Sequence, residues 1–264
     1  MNLVFRPIAI LCLAALGLSA ETQEERGKHV VDAALQAIGG DAYLHMEDRV
    51  ESGRAYSFFR QELTGLSLAK IYTRYLVPTP GKVSQRERQS FGKGEFDNVL
   101  FNESGAWEVT FRGARPLADD RIENYKDSTL RNIFYILRER LNEPGMSFYS
   151  RGADIWLNQP VDIVDITDAD NRTVTVYFNQ MTKLPIRQSF KRRNTEFKDF
   201  DEEVMVFSKY RDVGGGVMWP FAMRRERNGE KTYEIFSDTV EINKNLTDDL
   251  FTLSVNLKML PKQK

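Results

Sequence analysis

The sequence predicts a mainly β fold: one large, curled antiparallel sheet with two or so α-helices packed on it. Three observations carry this expectation. Ten or more short runs rich in apolar and β-branched residues are separated by polar turns. Only two stretches place apolar residues at helical spacing, and neither recurs as a repeat of fixed period. No linker rich in Pro, Gly or Ser divides the chain, so residues 21–264 are expected to form a single domain. An open sheet of that many strands tends to curl or close.

Residues 1–20 read as a cleaved signal peptide. Arg6 supplies a positive start, and Ile8–Leu18 is an apolar run well short of the ~20 residues that cross a bilayer. Leu18-Ser19-Ala20 ends small before polar Glu21-Thr22-Gln23, which places the expected cut after Ala20. A retained anchor is the alternative, and the length of the run counts against it. Cys12 is the one cysteine and lies inside this segment, preceded by Leu11 rather than the small residue that lipidation needs. The mature chain is therefore expected to carry no thiol, disulfide or lipid anchor, and to depend on its core for stability.

Gln23–Ile38 predicts an amphipathic helix. Val30, Val31, Ala34, Leu35 and Ile38 share one face, and Thr22 with Glu25 has capping-box spacing. Gly39-Gly40 stops it. Strands are expected over Val50–Arg60, Leu66–Val77, Gly81–Arg88, Phe96–Phe101 and Ala106–Arg112. Asp119–Leu141 breaks the pattern with a second helix, in which Leu130, Ile133, Phe134, Leu137 and Leu141 make a broad apolar face. Strands resume at Met146–Gly152, Ala153–Gln159, Val161–Thr167, Thr173–Phe178 and Pro185–Phe190. Asn194–Glu203 reads as a charged connector.

The C-terminal stretch is the clearest. Val204–Tyr210 ends at Gly214-Gly215-Gly216, Val217–Arg227 follows, and Asn228-Gly229 turns the chain into Thr232–Asn243. Asn-Gly between two alternating runs is a strong hairpin signal, because both residues tolerate positive φ. Pro220 cannot donate to a ladder and belongs at a strand start or an edge. Tyr233 and Ile235 alternate in one phase and Phe236 restarts in the other, which a bulge would accommodate. The stretch from Asn243 to Phe251 is a hook that pairs a polar turn with two apolar anchors.

Composition excludes several function classes. With 37 basic and 38 acidic residues, the chain lacks the positive excess of a nucleic-acid binder. His29 and His45 have no partner at metal-ligand spacing, and no cysteine pair exists. Asp165–Asn171 has a superficial likeness to a calcium loop, but it lacks the Gly at its sixth position and has Val176 at its twelfth. Its Asp and Asn residues are expected to bond their own backbone instead. No Gly-x-Ser-x-Gly elbow, dinucleotide fingerprint or P-loop is present. No catalytic residue, metal or cofactor is nominated. Lys191-Arg192-Arg193 and Arg224–Arg227 are interspersed with carboxylates and read as solvated faces, with an anionic contact as the alternative.

The aromatic supply is the more informative feature. Trp107, Phe111, Phe134, Trp156, Phe178, Trp219 and Phe221, with Leu137 on the second helix, are candidates to line an apolar cavity between sheet and helices. The competing reading of each is plain core.

The order Tyr210-Arg211-Asp212, Gly216-Val217-Met218-Trp219-Pro220, Asn228-Gly229 and Glu241–Phe251 resembles the C-terminal part of the LolA-type outer-membrane lipoprotein-sorting proteins. Ala37–Tyr43 and Met181–Arg187 fit the same pattern, so the resemblance spans most of the mature chain. It implies a half-open β-barrel whose helices cover the concave face and enclose a hydrophobic cavity. It also implies a monomeric periplasmic carrier that takes the acyl chains of lipoproteins or lipids toward the outer membrane, without catalysis or cofactor. Its partners would then be the acyl cargo, envelope transport proteins and, transiently, the membrane. No residue identifies the contact with an inner-membrane extraction machine. Two other classes stay open: an envelope sensor or interaction module that binds a protein partner, and a hydrolase built on a carboxylate pair.

Overall fold

The computed structural model describes residues 21–194 and 197–262. The expected signal peptide and Cys12 lie outside the described residues.

Helix α1 (Gln23–Ile38) has the predicted bounds and the predicted cap. Thr22 Oγ1 accepts from Glu25 N at 3.1 Å, and Glu25 Oε2 accepts from Thr22 N at 2.8 Å. Gly39, at φ 135°, ends the helix and leads into the short α2 (Gly40–Leu44). Six strands then run antiparallel, each beside the last: β1 (Asp48–Phe59), β2 (Glu62–Tyr75), β3 (Gln85–Phe91), β4 (Asp97–Asn102), β5 (Gly105–Thr110) and β6 (Gly113–Pro116).

The second helical stretch is not continuous. Helix α3 (Asp119–Leu130) stops, and α4 (Ile133–Tyr135) starts afresh and runs into a π-helical turn, Ile136–Arg140. Asn132 causes the break: its side-chain oxygen accepts from Phe134 N and Tyr135 N, which makes it an N-cap in the middle of an apolar helical pattern.

Seven strands complete the chain: β7 (Ser147–Trp156), β8 (Gln159–Thr167), β9 (Thr173–Asn179), β10 (Pro185–Asn194), β11 (Asp199–Asp212), β12 (Met218–Arg227) and β13 (Glu230–Ile242). The two runs expected over Met146–Gln159 are mostly one strand, bent by a bulge between Ser150 and Gly152. The expected connector Asn194–Glu203 is shorter than its charge suggested, because β11 begins at Asp199. Asn228 and Gly229 form the predicted two-residue turn, with φ 51° and 79°, between paired Arg227 and Glu230. Pro220 lies at the start of β12, before pairing with β13 begins at Ala222.

All thirteen strands form one sheet in the order β6-β5-β4-β3-β2-β1-β13-β12-β11-β10-β9-β8-β7. The first and last strands pair in its middle, while the helices carry the chain from one edge to the other. The edges β6 and β7 do not pair with each other, so the sheet is an open curl and not a closed barrel.

One helix shows how strongly it curls. Tyr125 of α3 stacks on Phe101 of β4, with centroids 3.7 Å apart and rings 8° from parallel. One turn along, Ser128 Oγ accepts from Arg192 Nη2 of β10 at 2.6 Å. In a flat sheet β4 and β10 would be roughly 34 Å apart at ~4.8 Å per strand. The face toward α3 is therefore concave.

The concave face also takes α1, α4 and the π-helical turn, whose Val31, Leu35, Ile38, Ile133 and Leu137 pack on Val164, Val176, Phe178 and Phe207. The convex face is covered where the hook reaches it. Asp48 accepts from Lys244 N and Leu246 N at 2.6 and 2.9 Å, and Phe251 is fully buried against Val50, Tyr72 and Leu100. The phase change in β13 falls later than the sequence suggested. Phe236 stays in register, edge-on to Tyr56 at 5.8 Å, and the extra residue is Asp238, where the β1–β13 register jumps.

Helix α1 approaches the sheet through a glycine. A methyl group at Gly27 would lie 2.3 Å from the Phe148 carbonyl oxygen of β7. Gly27→Ala is therefore expected to lower the urea midpoint, although the same change in an exposed helix adds about 1 kcal/mol of stability. A raised midpoint would mean that α1 is not seated on β7.

Candidate functional site

Between the concave face and α3–α4 lies a cavity of about 560 Å³. One part of its wall is apolar, formed by Ile71, Phe91, Phe134, Met205, Trp219, Met223 and Ile235. The other part carries charge that alternation along the strands turns inward. On β1, Val50 faces the hook, so Arg49 and Glu51 on either side of it face the cavity. On β3, Gln85, Glu87 and Gln89 do the same.

Arg49 is the centre of this polar part. Its Nη1 donates to Tyr75 Oη at 2.9 Å and its Nη2 to Thr73 Oγ1 at 3.1 Å. Its guanidinium lies 4.0 Å over the Trp219 ring, a stacking that suits a weakly hydrated planar cation. Glu51 accepts from the Ser237 hydroxyl through Oε1. Burial pushes the Glu87 carboxyl above its ordinary 4.5, against the pull of Gln89, Arg49 and Arg225. Burial likewise pushes the Tyr233 hydroxyl up to about 12.

The roof is tied down at several points. Arg192, in a run expected to be a solvated face, bonds Ser128 and reaches Asp127 at 3.3 Å. Gln188, fully buried, accepts from Ile133 N at 2.9 Å. Tyr43 Oη donates to Phe134 O at 2.7 Å, and Arg138 donates to the Tyr43 and Leu44 carbonyls, joining α4 to α2. Arg140 donates to Asp168 at 2.9 Å. Burial would raise Asp168, but the Arg140 and Arg172 hydrogen bonds hold its carboxyl below the ordinary 3.8. Asp168 also accepts from the backbone of Asp170 and Arg172, as the turn reading anticipated.

Of the eight residues named from the sequence, Phe134 and Trp219 line the cavity, their rings 4.8 Å apart. Leu137, Phe178 and Phe221 are buried in the main core. Trp107 packs on the other face with Val50, Tyr72, Leu100 and Phe251. Trp156 lies against Val161, Ile163 and Ile186, and Phe111 is 81% exposed. Arg49, Glu51 and Glu87 were not anticipated. The available signal was Asp48-Arg49-Val50-Glu51, where polar residues flank one apolar residue in a strand, but that pattern ordinarily marks a solvent face.

Among the described residues, no group of three or more His, Cys, Asp or Glu is placed to hold a metal ion. No described helix is long and apolar enough to cross a membrane.

The fold class is thus a single open sheet, curled around a helix-roofed cavity of mixed polarity. Solved structures share it. A domain described as an outer membrane lipoprotein-sorting protein from Vibrio parahaemolyticus superposes with TM-score 0.59 at 11% identity, covering 87% of this chain and 97% of that one. A DUF1329 family protein from Desulfovibrio piger gives 0.58 at 13% identity over 86% and 97%. A LolA superfamily protein from Nitrosomonas europaea gives 0.51 at 10% identity over 86% and 97%. The chain is similar to LolA-type lipoprotein-sorting proteins in fold, as its motifs suggested. No family model matches the sequence, and no curated protein matches it.

Glu87 gives the cavity a signature in pH. Above its ordinary 4.5 the unfolded chain has lost a proton that the folded protein keeps, so this group makes stability fall as pH rises. Glu87→Gln removes that slope and should gain on the parent as pH goes from about 4 to about 7. Urea midpoints at the two values check it, and an advantage that shrinks toward neutral pH would contradict a Glu87 carboxyl held above its ordinary value.

Proposed function

We propose that the protein is an exported, non-catalytic carrier that works in the periplasm as a monomer. It holds the acyl chain of a lipoprotein or lipid between the concave face and α3–α4 and takes it toward the outer membrane. The observation that carries this is the roofed cavity of about 560 Å³, within the ~300–1,000 Å³ of typical ligand sites. Each methylene buried there contributes about 0.8 kcal/mol, so a dozen supply roughly 10 kcal/mol before the costs of association. The fold shared with a lipoprotein-sorting domain supports the same reading.

A further observation supports transient contact with a membrane. The outer half of the β1–β2 hairpin leaves Phe59, Leu63, Leu66 and Leu68 between 50% and 64% exposed, toward one end of the two strands. An apolar patch of that kind marks an interaction surface.

The protein has three tryptophans, and Trp219 lines the cavity while Trp107 and Trp156 pack on the convex face. A brominated fatty acyl chain should therefore quench the emission of Trp219. The quenching should vanish in Trp219→Phe and survive in Trp107→Phe and Trp156→Phe. Native mass spectrometry of protein drawn from its envelope should show co-purifying lipid or acylated peptide. A clean unliganded mass with no quenching would sink the carrier reading and favour a module that binds a protein partner. Separately, Leu63→Glu with Leu66→Glu should abolish co-sedimentation with phospholipid vesicles and leave the quenching intact.

A further inference from the structure

The polar part of the cavity wall holds three buried atoms with no hydrogen-bond partner among the described residues: Arg49 Nε, Glu51 Oε2 and Trp219 Nε1. They belong to one cluster. The Arg49 guanidinium lies 4.0 Å over the Trp219 ring, and Arg49 Nε is 3.8 Å from Glu51 Oε2, beyond a hydrogen bond. Their residues are 8%, 1% and 3% exposed and all line the cavity. The remaining polar atoms of the two charged side chains are already engaged, with Tyr75, Thr73 and Ser237. An unpaired buried polar atom is costly and calls for an explanation, and here three converge on one wall.

Their chemistry is a pattern of two donors and one acceptor. A phosphate or an ionised carboxylate only accepts, so it would satisfy the donors and turn a lone pair toward Glu51. An ester has the same defect. An amide or a hydroxyl matches all three, because each accepts and donates at once. Two of the other arginines on the wall, Arg192 and Arg227, are paired with Glu203 at 3.6 and 2.8 Å, and Arg225 stacks on Tyr233 at 5.9 Å.

We propose that the cavity recognises the polar end of its cargo, a long-chain lipid whose head both accepts and donates a hydrogen bond, as an amide or a hydroxyl does. The head oxygen accepts from Arg49 Nε and Trp219 Nε1, and its N–H or O–H donates to Glu51 Oε2. The three atoms are closed off from water, so the head reaches them by parting the wall as the chain enters beneath α3. This inference rests on the carrier reading and adds the head group to it.

The test is displacement of a fluorescent apolar probe, N-phenylnaphthylamine, by four ligands with one chain length: hexadecanamide, hexadecanol, methyl hexadecanoate and hexadecyl phosphate. The amide and the alcohol should displace it at concentrations about tenfold or more below the ester and the phosphate, the factor that a hydrogen bond to a charged group supplies. Glu51→Gln should narrow the gap by weakening only the ligands that donate. Trp219→Phe, which keeps the ring under Arg49, should weaken all four ligands together, since each accepts from Trp219 Nε1. Equal displacement by all four, or preference for the phosphate, overturns the head-group inference and leaves the carrier standing. Displacement by none of them overturns the carrier reading and this inference with it.

Discussion

The grip on α3 from both limbs of the sheet is the contact on which the rest depends. Tyr125 lies flat on Phe101 of β4, and Arg192 of β10 holds Ser128 one turn further on. Strands far apart in the sheet are thereby brought to opposite sides of one helix, and the space beneath that helix becomes a cavity. The stack contributes on the order of 1 kcal/mol beyond the area it buries. Its larger effect is geometric, because it fixes where the walls stand. The other anchors of the roof divide the labour: Gln188 holds the start of α4, Tyr43 and Arg138 join it to α2, and Arg140 reaches Asp168.

Covering the sheet on both faces has a chemical result. Once the hook buries Val50 and Phe251 on the convex side, Arg49 and Glu51 have nowhere to point but inward. A charge so placed is expensive unless it is paired or stacked. Arg49 is stacked on the Trp219 ring and hydrogen-bonded to the neutral hydroxyls of Tyr75 and Thr73. The cavity is therefore not a uniformly oily sleeve: apolar Ile71 is the cross-strand neighbour of Glu51, so charged and apolar side chains adjoin on one lining.

The fold was largely visible in the sequence, because its signals are local. Thr22 with Glu25, Gly39-Gly40, Asn228-Gly229 and the alternation within strands each dictate a few residues of backbone, and the structure shows each in place. The break at Asn132 was missed because the apolar spacing of Leu130, Ile133 and Phe134 runs through it, and only the capping bonds of its side chain reveal it. The site was less visible for a related reason. Trp219 and Trp107 look alike in sequence, and which faces the cavity is decided by the curl and by the hook, both of which are long-range. Arg49 and Glu51 show the same limit from the other side, since alternation assigns residues to two faces without saying that both are buried.

The pairing of β1 with β13 also fixes the order of events in the life of the chain. Ser237 and Glu51, bonded to each other, are 186 residues apart, and the ladder that joins their strands bisects the sheet. Contacts so distant in sequence form late, since the entropy of closing so long a loop must be met first. The two limbs can each zip up as a meander while the chain is still emerging, but the floor that links them, with Arg49 stacked on Trp219, has to wait for the C-terminal strand and its hook. A chain cut short anywhere before Thr232 would keep many of its hairpins and have no floor at all. The cavity is the last thing made, and an unfinished molecule does not have one.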